Sequence, residues 1–189
     1  MREREITDLA SLQAFTHPLR LRLLTMLRLD GPLTASELAR RTGESSGSTS
    51  YHLRQLERFG FVEDAADTGS GRERHWVVSA DAQRVRGGDF VDDPAGWAAL
   101  GELVGLELRR WTNALRAFIA EPDRWRGWLG AVSTSHSAVR LSVGQLAELT
   151  AEVQAVIERY EQATVGPDDD DDDEVVVVYF GAVPVEEPS

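Results

Sequence analysis

The chain has 189 residues, of which 42% are hydrophobic and 28% charged, a composition typical of one soluble globular domain with a sizeable extension. It contains no cysteine, which excludes disulfides and thiolate metal sites, and no apolar stretch approaches the roughly 20 residues of a membrane span. The formal charge of -12 is unevenly distributed: residues 1–88 hold 13 arginines and 12 acidic residues, whereas residues 89–189 hold 7 and 20.

Export, metal binding and catalysis find no support in the sequence. The first ten residues lack the apolar segment of a signal peptide, which predicts a cytoplasmic protein. The four histidines are far apart, without the spacing of a metal site. Ser135 and His136 could be combined with an aspartate into a catalytic set, but no strand-turn-helix nucleophile motif surrounds them. We therefore expect no metal, no cofactor and no enzymatic activity.

Two helices are predicted at the beginning of the chain. Thr7 is the expected cap of a short first helix. The second helix begins at His17 and Pro18, because proline in the first turn lacks only an N–H group that would be unpaired anyway. It ends at residues 30–32, Asp-Gly-Pro, where Gly31 is the expected left-handed cap.

Two further helices and a hairpin follow. A capping box of Thr34 and Glu37 starts the third helix, and Gly43 ends it. The fourth helix follows after a tight turn, in the segment SSGSTSYHLRQLERFGFV of residues 45–62. FVEDAA and RERHWVVS then predict two strands around a tip at residues 66–71. Helices followed by a hairpin are the plan of a winged helix-turn-helix domain, which we assign to residues 1–88.

A long helix is predicted at the start of the second region, residues 89–189. It begins at Asp93 and Pro94 and extends to about Ala120, with apolar residues three or four positions apart on one face. This spacing predicts a packing seam. The tryptophans between residues 97 and 128, four of the five in the chain, allow a second interpretation, an apolar effector pocket. The seam and pocket residues are Trp97, Leu100, Val104, Leu108, Trp111, Leu115, Trp125 and Trp128.

The remaining residues predict a small strand, helix, strand unit. SAVRLS, residues 137–142, and VVVVYF, residues 175–180, are expected to share a sheet, because so apolar a run requires pairing and cover. Ser142 and Gln145 form a capping box for a helix that ends near Gln162. Six consecutive aspartates lie in an acidic loop at 167–174. This run lacks the alternation and the glycine of a calcium loop. The fold class is therefore mainly α with small β.

The fourth helix has two unlike faces on a helical wheel of about 100° per residue. Thr49, Leu53 and Leu56 lie on one side. Tyr51 and Arg54 lie on the opposite side, together with small residues at the start of the helix. This order suits a helix that enters the major groove of DNA by its N-terminal end. An ordinary solvated face is the alternative interpretation.

The segments HPLRLRLLTML, LTASELARRTG, SSGSTSYHLRQLERFGFV and TGSGRERHWVVS together resemble the winged-helix domain of the ArsR family of bacterial transcriptional regulators. The resemblance covers about residues 10–80. It implies a homodimeric repressor that binds a palindromic DNA operator, with its recognition helix at 46–59 and its wing at 66–74. The metal-binding cysteine motif and the histidines of the metal-sensing members are missing, so metal sensing is not expected.

The expected DNA contacts follow from the wheel and the resemblance together. Arg54, Tyr51 and Gln55 are expected to line the major groove, and other arginines to meet phosphates or to serve the wing. The full set is Arg40, Arg41, Ser46, Gly47, Ser48, Ser50, Tyr51, Arg54, Gln55, Arg58, Arg72 and Arg74. His52 has two interpretations, a packing or hydrogen-bonding role and a phosphate contact. A protein interaction module without DNA binding is the alternative function, since winged helices also bind proteins.

Overall fold

The computed structural model describes residues 3–65, 73–80, 82–135, 137–163 and 174–186. The chain divides into two compact units, residues 1–106 and 107–189. The elements, in chain order, are β1 (Glu3–Ile6), α1 (Leu9–Phe15), α2 (Pro18–Asp30), β2 (Leu33–Thr34), α3 (Ala35–Thr42), α4 (Ser46–Arg58), β3 (Val62–Asp64), β4 (His75–Val78), β5 (Ala82–Val85), α5 (Pro94–Ala120) and α6 (Val143–Ala163). A short 3₁₀ turn, Gly87–Phe90, precedes α5.

The predicted start and stop positions of α2 and α3 are confirmed. Pro18 occupies the first turn of α2, and Gly31 follows its end with a φ of 77° and a ψ of -155°, which is a positive-φ cap but not the predicted left-handed helical one. Thr34 and Glu37 form the predicted capping box: the Thr34 hydroxyl accepts from the Glu37 amide at 3.2 Å, and Glu37 Oε2 accepts from the Thr34 amide at 2.8 Å. Gly43 caps α3 in the left-handed conformation. Residues close in sequence therefore mark these boundaries.

The predicted cap of α1 is wrong by one residue. Asp8, not Thr7, is the N-cap, and its Oδ1 accepts from the Ser11 amide at 2.9 Å. This backbone hydrogen bond lowers the pKa of the Asp8 carboxyl. A carboxylate at this position also interacts favourably with the positive end of the helix dipole.

Two small sheets complete the first unit. The order β2-β4-β3 is antiparallel throughout, with Leu33 opposite Trp76 and Val62 opposite Val78. The hairpin strands predicted around residues 66–71 are thus confirmed as β3 and β4, while the tip itself lies outside the described residues. A parallel pair of β1 and β5 was not predicted. It joins residues about 80 positions apart, which no local pattern of four residues indicates.

The core of the first unit lies between the helices and the three-stranded sheet. Fully buried side chains include Leu12 from α1, Leu23 from α2, Leu38 from α3, and Leu53 and Leu56 from α4. Each such leucine contributes about 1.5–3 kcal/mol relative to an exposed side chain. The core therefore fixes one face of every helix in this unit.

The long predicted helix is confirmed as α5, but a different face packs on the core. Ala99 and Leu103 are buried in the core of the first unit. The predicted seam lies beside them: Trp97, Val104 and Leu108 are 54%, 43% and 41% exposed. Leu100 is half-buried against the core. The apolar stripe of α5 is thus wide enough to bury one edge and leave the other uncovered.

The second unit contains the predicted α6 but not the predicted strands. Ser142 and Gln145 cap α6 reciprocally, at 2.9 and 3.2 Å. The prediction that SAVRLS and VVVVYF share a sheet is wrong, since neither segment forms a strand. Val175 and Val178 are 65% and 63% exposed. A β-branched run favours a strand only where another strand offers its edge, and the described part of this unit contains none.

Aromatic side chains of the second unit make a few ring contacts. Trp111 lies 6.0 Å from Tyr179, and Phe118 lies 6.1 Å from Trp125, measured between ring centroids. Five members of the predicted seam and pocket set fall in this unit. Leu108 is exposed, whereas Trp111, Leu115, Trp125 and Trp128 are half-buried.

Candidate nucleic-acid interface

Small polar residues form the N-terminal end of α4. The Ser45 hydroxyl caps the helix by accepting from the Ser48 amide at 3.1 Å. Ser46 and Gly47 are exposed, and Ser48 and Ser50 are half-buried. A Cβ built on Gly47 would meet only the Ser45 hydroxyl within 4 Å, at 3.9 Å. The helix therefore presents a slender end whose free amide groups can approach an anion closely.

The two predicted faces of α4 are confirmed. Thr49, Leu53 and Leu56 are fully buried. On the opposite side Tyr51 is 58% exposed, and Arg54 and Arg58 are exposed as well. Gln55 lies half-buried on the shoulder of this face. The exposed face thus combines one aromatic ring, one amide and two guanidinium groups.

The two arginines of α3 differ in their surroundings. Both Arg40 and Arg41 are exposed near the end of the helix. Arg41 Nη1 lies 2.7 Å from Asp30 Oδ2 in an ion pair. Arg22 donates to the Thr42 and Arg41 carbonyls at 3.0 and 3.1 Å. It thereby provides hydrogen-bond donors for carbonyl groups that have no partner within α3 at its C-terminal end. A phosphate contact by Arg41 would have to compete with Asp30.

Only one of the two arginines predicted for the wing lies among the described residues. Arg72 and the tip lie outside the described residues. Arg74 stands just before β4, where its guanidinium contacts Glu57 of α4 and Asp64 of β3. Trp76, the next inward residue of the strand, is 4% exposed, which confirms the core position predicted for it.

His52 packs against His17, which the sequence did not predict. Their ring centroids are 4.4 Å apart, and the Tyr51 ring meets His52 edge-on at 5.2 Å. The packing interpretation of His52 is thereby confirmed. His17 caps α2, since its Nδ1 accepts from the Leu19 amide at 3.2 Å. An N-capping histidine before proline was the available signal, but nothing local indicated its partner.

Burial dominates the electrostatics of this histidine pair. It lowers the pKa of both rings, and the positive charge of Arg20 lowers both further, whereas Glu44 raises them. The neighbouring His52 also lowers the pKa of His17. Both rings are therefore held in the neutral form behind the exposed face of α4.

In the described ranges, no group of three or more histidine or acidic side chains is arranged to hold a metal ion. None of the helices found there is both long and apolar enough to cross a membrane.

Comparisons with known proteins agree with this geometry. A family model described as a helix-turn-helix domain matches residues 15–65, the range from the end of α1 to just past β3. The HTH-type transcriptional regulator YgaV of Escherichia coli (strain K12) is 40% identical over 58 residues, 31% of this chain. The chain spans 59% of the length of that relative.

A solved structure, transcriptional regulator Tm0710 from Thermotoga maritima, is also similar. The likeness covers 76% of this chain and 77% of that chain, with 14% identity and a TM-score of 0.30. With β2, β3 and β4 beside the matched helices, the first unit is a winged helix-turn-helix domain in a mainly α chain with small β sheets.

Proposed function

We propose that this winged helix-turn-helix protein is a sequence-specific DNA-binding transcriptional regulator without enzymatic activity. The observation that carries the proposal is the exposed face of α4, where Tyr51, Arg54 and Arg58 project opposite a fully buried apolar face. The match of a helix-turn-helix family to residues 15–65 supports the same function. A regulator of this kind acts on the chromosome, so we place it in the cytoplasm.

Each exposed group of α4 suits a part of the DNA duplex. Arg54 and Gln55 can form paired hydrogen bonds with guanine and adenine edges in the major groove, and Tyr51 and Ser48 can line it. The helix end at Ser46 and Gly47 can approach a phosphate through free backbone amides. Among the other polar residues of the predicted set, we assign Arg40, Arg58 and Arg72 to phosphates and Ser50 to the edge of the groove.

We further propose that the protein is a homodimer, as the resemblance to the ArsR family implies. The uncovered edge of α5, with Trp97, Val104 and Leu108 exposed, supports a second copy as its occupant. Two copies would place two α4 helices on half-sites about 34 Å apart, which predicts a palindromic operator. By the same resemblance, we propose repression without metal sensing.

The half-buried tryptophans of the second unit remain the residues to which we assign an apolar effector. Trp125 and Trp128 lie among the turns that follow α5. Apolar side chains with few polar groups are typical of small-molecule sites. Binding of an effector would regulate the protein if it changed the separation of the two α4 helices.

The test is selection of bound fragments from the chain's own genomic DNA, followed by titration of the best site at several salt concentrations. We expect affinity to fall steeply as salt rises, because phosphate contacts release counterions. Arg54→Ala should cost about 1–3 kcal/mol of binding free energy and relax specificity at one base position.

Arg116→Ala provides a matched control, since Arg116 is exposed on α5 outside the helix-turn-helix match. It should bind the selected site like the parent. Parent-like binding by Arg54→Ala would refute the groove assignment. Failure of the parent to retain any DNA at low salt would instead favour a protein interaction module, which the net charge of only +1 over residues 1–88 would permit.

A further inference from the structure

We propose that Arg74 is a positioning residue, which fixes the base of the wing to α4 instead of contacting DNA. This inference rests on the proposed function. We define the wing clasp as four residues: Arg74, Glu57, Asp64 and Trp76. It revises the direct wing contact that the sequence predicted for Arg74.

The wing clasp joins three elements through one guanidinium group. Arg74 Nη2 donates to Glu57 Oε1 at 2.6 Å and Nη1 donates to Oε2 at 3.2 Å, a two-pronged pair with α4. Arg74 Nε lies 2.8 Å from Asp64 Oδ2, on the last residue of β3. The guanidinium carbon lies 3.9 Å from the centre of the Trp76 ring on β4. The fork geometry of arginine suits a carboxylate better than a lysine ammonium would.

The charges of the wing clasp oppose a direct contact with phosphate. One guanidinium faces two carboxylates, so the group as a whole carries an excess negative charge. The hydrogen bonds that Arg74 donates to Glu57 also raise the pKa of Arg74, which keeps the guanidinium charged and paired. Three of the five N–H donors of Arg74 point at these carboxylates, so a DNA phosphate that approached the remaining two would also face both negative groups.

The wing clasp connects the hairpin strands to α4, a position that suits it to fix the orientation of the wing. The Ala65 amide donates to the His75 carbonyl at 2.9 Å, which is the backbone hydrogen bond nearest the tip among the described residues. Arg74 stands beside this bond and reaches across to α4. The recognition helix and the wing are expected to contact the duplex together, so binding is tighter when their relative orientation is already set in the free protein. The wing clasp supplies that orientation from within the free protein.

The decisive variant is Glu57→Gln, because the two interpretations predict opposite signs. As a positioning group, Glu57 is needed, and its replacement should weaken binding of the selected site roughly two- to fivefold, the range of a partly exposed ion pair. If Arg74 contacts phosphate, the same replacement frees Arg74 and removes a negative charge near DNA, so binding should tighten. Glu73→Gln is the matched control, since Glu73 adjoins Arg74 in the chain and, among the described residues, has the Ser36 hydroxyl as its hydrogen-bond partner, at 3.3 Å.

Arg74→Met and the salt dependence provide the second readout. We expect Arg74→Met to weaken binding about tenfold, because it leaves two carboxylates unpaired beside the duplex, and Arg74→Lys to recover part of the loss. The slope of log affinity against log salt should stay within about 0.3 of the parent, whereas loss of one phosphate contact lowers it by about 0.9. Parent-like or tighter binding by Glu57→Gln, or a slope lowered by about 0.9 in Arg74→Met, would overturn the proposal.

A third measurement needs no DNA and so separates this inference from the proposed function. In the free protein, amide hydrogen exchange of residues 62–65 and 75–78 should be faster in Arg74→Met and Glu57→Gln than in the parent or in Glu73→Gln. Unchanged exchange in both clasp variants would overturn the positioning role. If the parent binds no DNA but both clasp variants exchange faster than the parent, the proposed function is refuted and the wing clasp stands.

Discussion

Thr49→Val should stabilise the protein, although it replaces a polar residue in the helix that we assign to DNA. Thr49 is fully buried in the first turn of α4, and its hydroxyl has no hydrogen-bond partner among the described residues. An unpaired buried hydroxyl costs about 1–3 kcal/mol of desolvation. Valine has the same shape and a similar helix propensity, so the replacement removes this cost without a cavity.

The expected gain is about 1 kcal/mol in the free energy of unfolding, the lower end of that range, since the unfolded state also solvates the hydroxyl. For a unit of this size it corresponds to a rise of about 4 °C in the melting temperature. Thr49→Ser is the matched control, because it keeps the hydroxyl and removes the methyl group. That variant should lose about 1 kcal/mol through the cavity it leaves.

Urea unfolding followed by circular dichroism measures both variants, with the midpoint expected to move and the slope to stay constant. Binding of the selected DNA site should be unchanged, because the side chain points into the core. A Thr49→Val protein less stable than the parent would refute the reasoning. It would mean that the hydroxyl is paired in solution, for example with a carbonyl of the preceding turn.

Three further predictions concern a helix cap, protonation and assembly. Thr34→Ala removes the capping box with Glu37 and should cost about 1 kcal/mol in thermal unfolding; an unchanged melting temperature would contradict the cap's role. The pKa values of His17 and His52 are lowered from 6.5, so the unfolded state binds more protons and the free energy of unfolding should fall as pH drops below about 6.5. Urea unfolding at about pH 7.5 and 5.5 should show a smaller loss for His52→Gln than for the parent, and an equal loss would contradict the assignment to this pair. Leu108→Glu should shift the sedimenting species from dimer to monomer by charging an apolar interface, whereas a parent that is already monomeric would disprove the dimer seam.

The helices of the first unit were predictable because their boundaries depend on residues close in sequence. A capping box needs only Thr34 and Glu37, and a left-handed cap needs only Gly43. The two faces of α4 likewise follow from spacing alone. These features require no knowledge of what packs against the helix, and the structure confirms each of them.

Features that depend on distant partners were missed or wrongly assigned. The four residues of β1 form a strand because β5 lies beside them, and no pattern within Glu3–Ile6 indicates that pairing. The run VVVVYF has a strong strand preference but no strand beside it in the described part of its unit. Strand formation needs an edge as well as a sequence, which explains one unpredicted strand and one that did not form.

The candidate site likewise has features that the sequence predicted and features that it could not predict. Exposure of Tyr51 and Arg54 follows from the helical period, so the sequence predicted it correctly. The partners of Arg74 could not be predicted, because Glu57 lies 17 residues away in another element. A charged residue near a wing indicates its function only when its nearest carboxylates are known.

The end of α4 has a consequence for how the protein can be altered. Gly60 has a φ of 68°, and the Arg4 guanidinium donates to its carbonyl at 2.9 Å. A Cβ at this glycine would stand 2.7 Å from Arg4 Nη1. This hydrogen bond from Arg4 thus connects strand β1 to the turn that follows α4. Truncations or fusion tags that disturb the first six residues should therefore be judged by their effect on DNA affinity, as well as by the yield of folded protein.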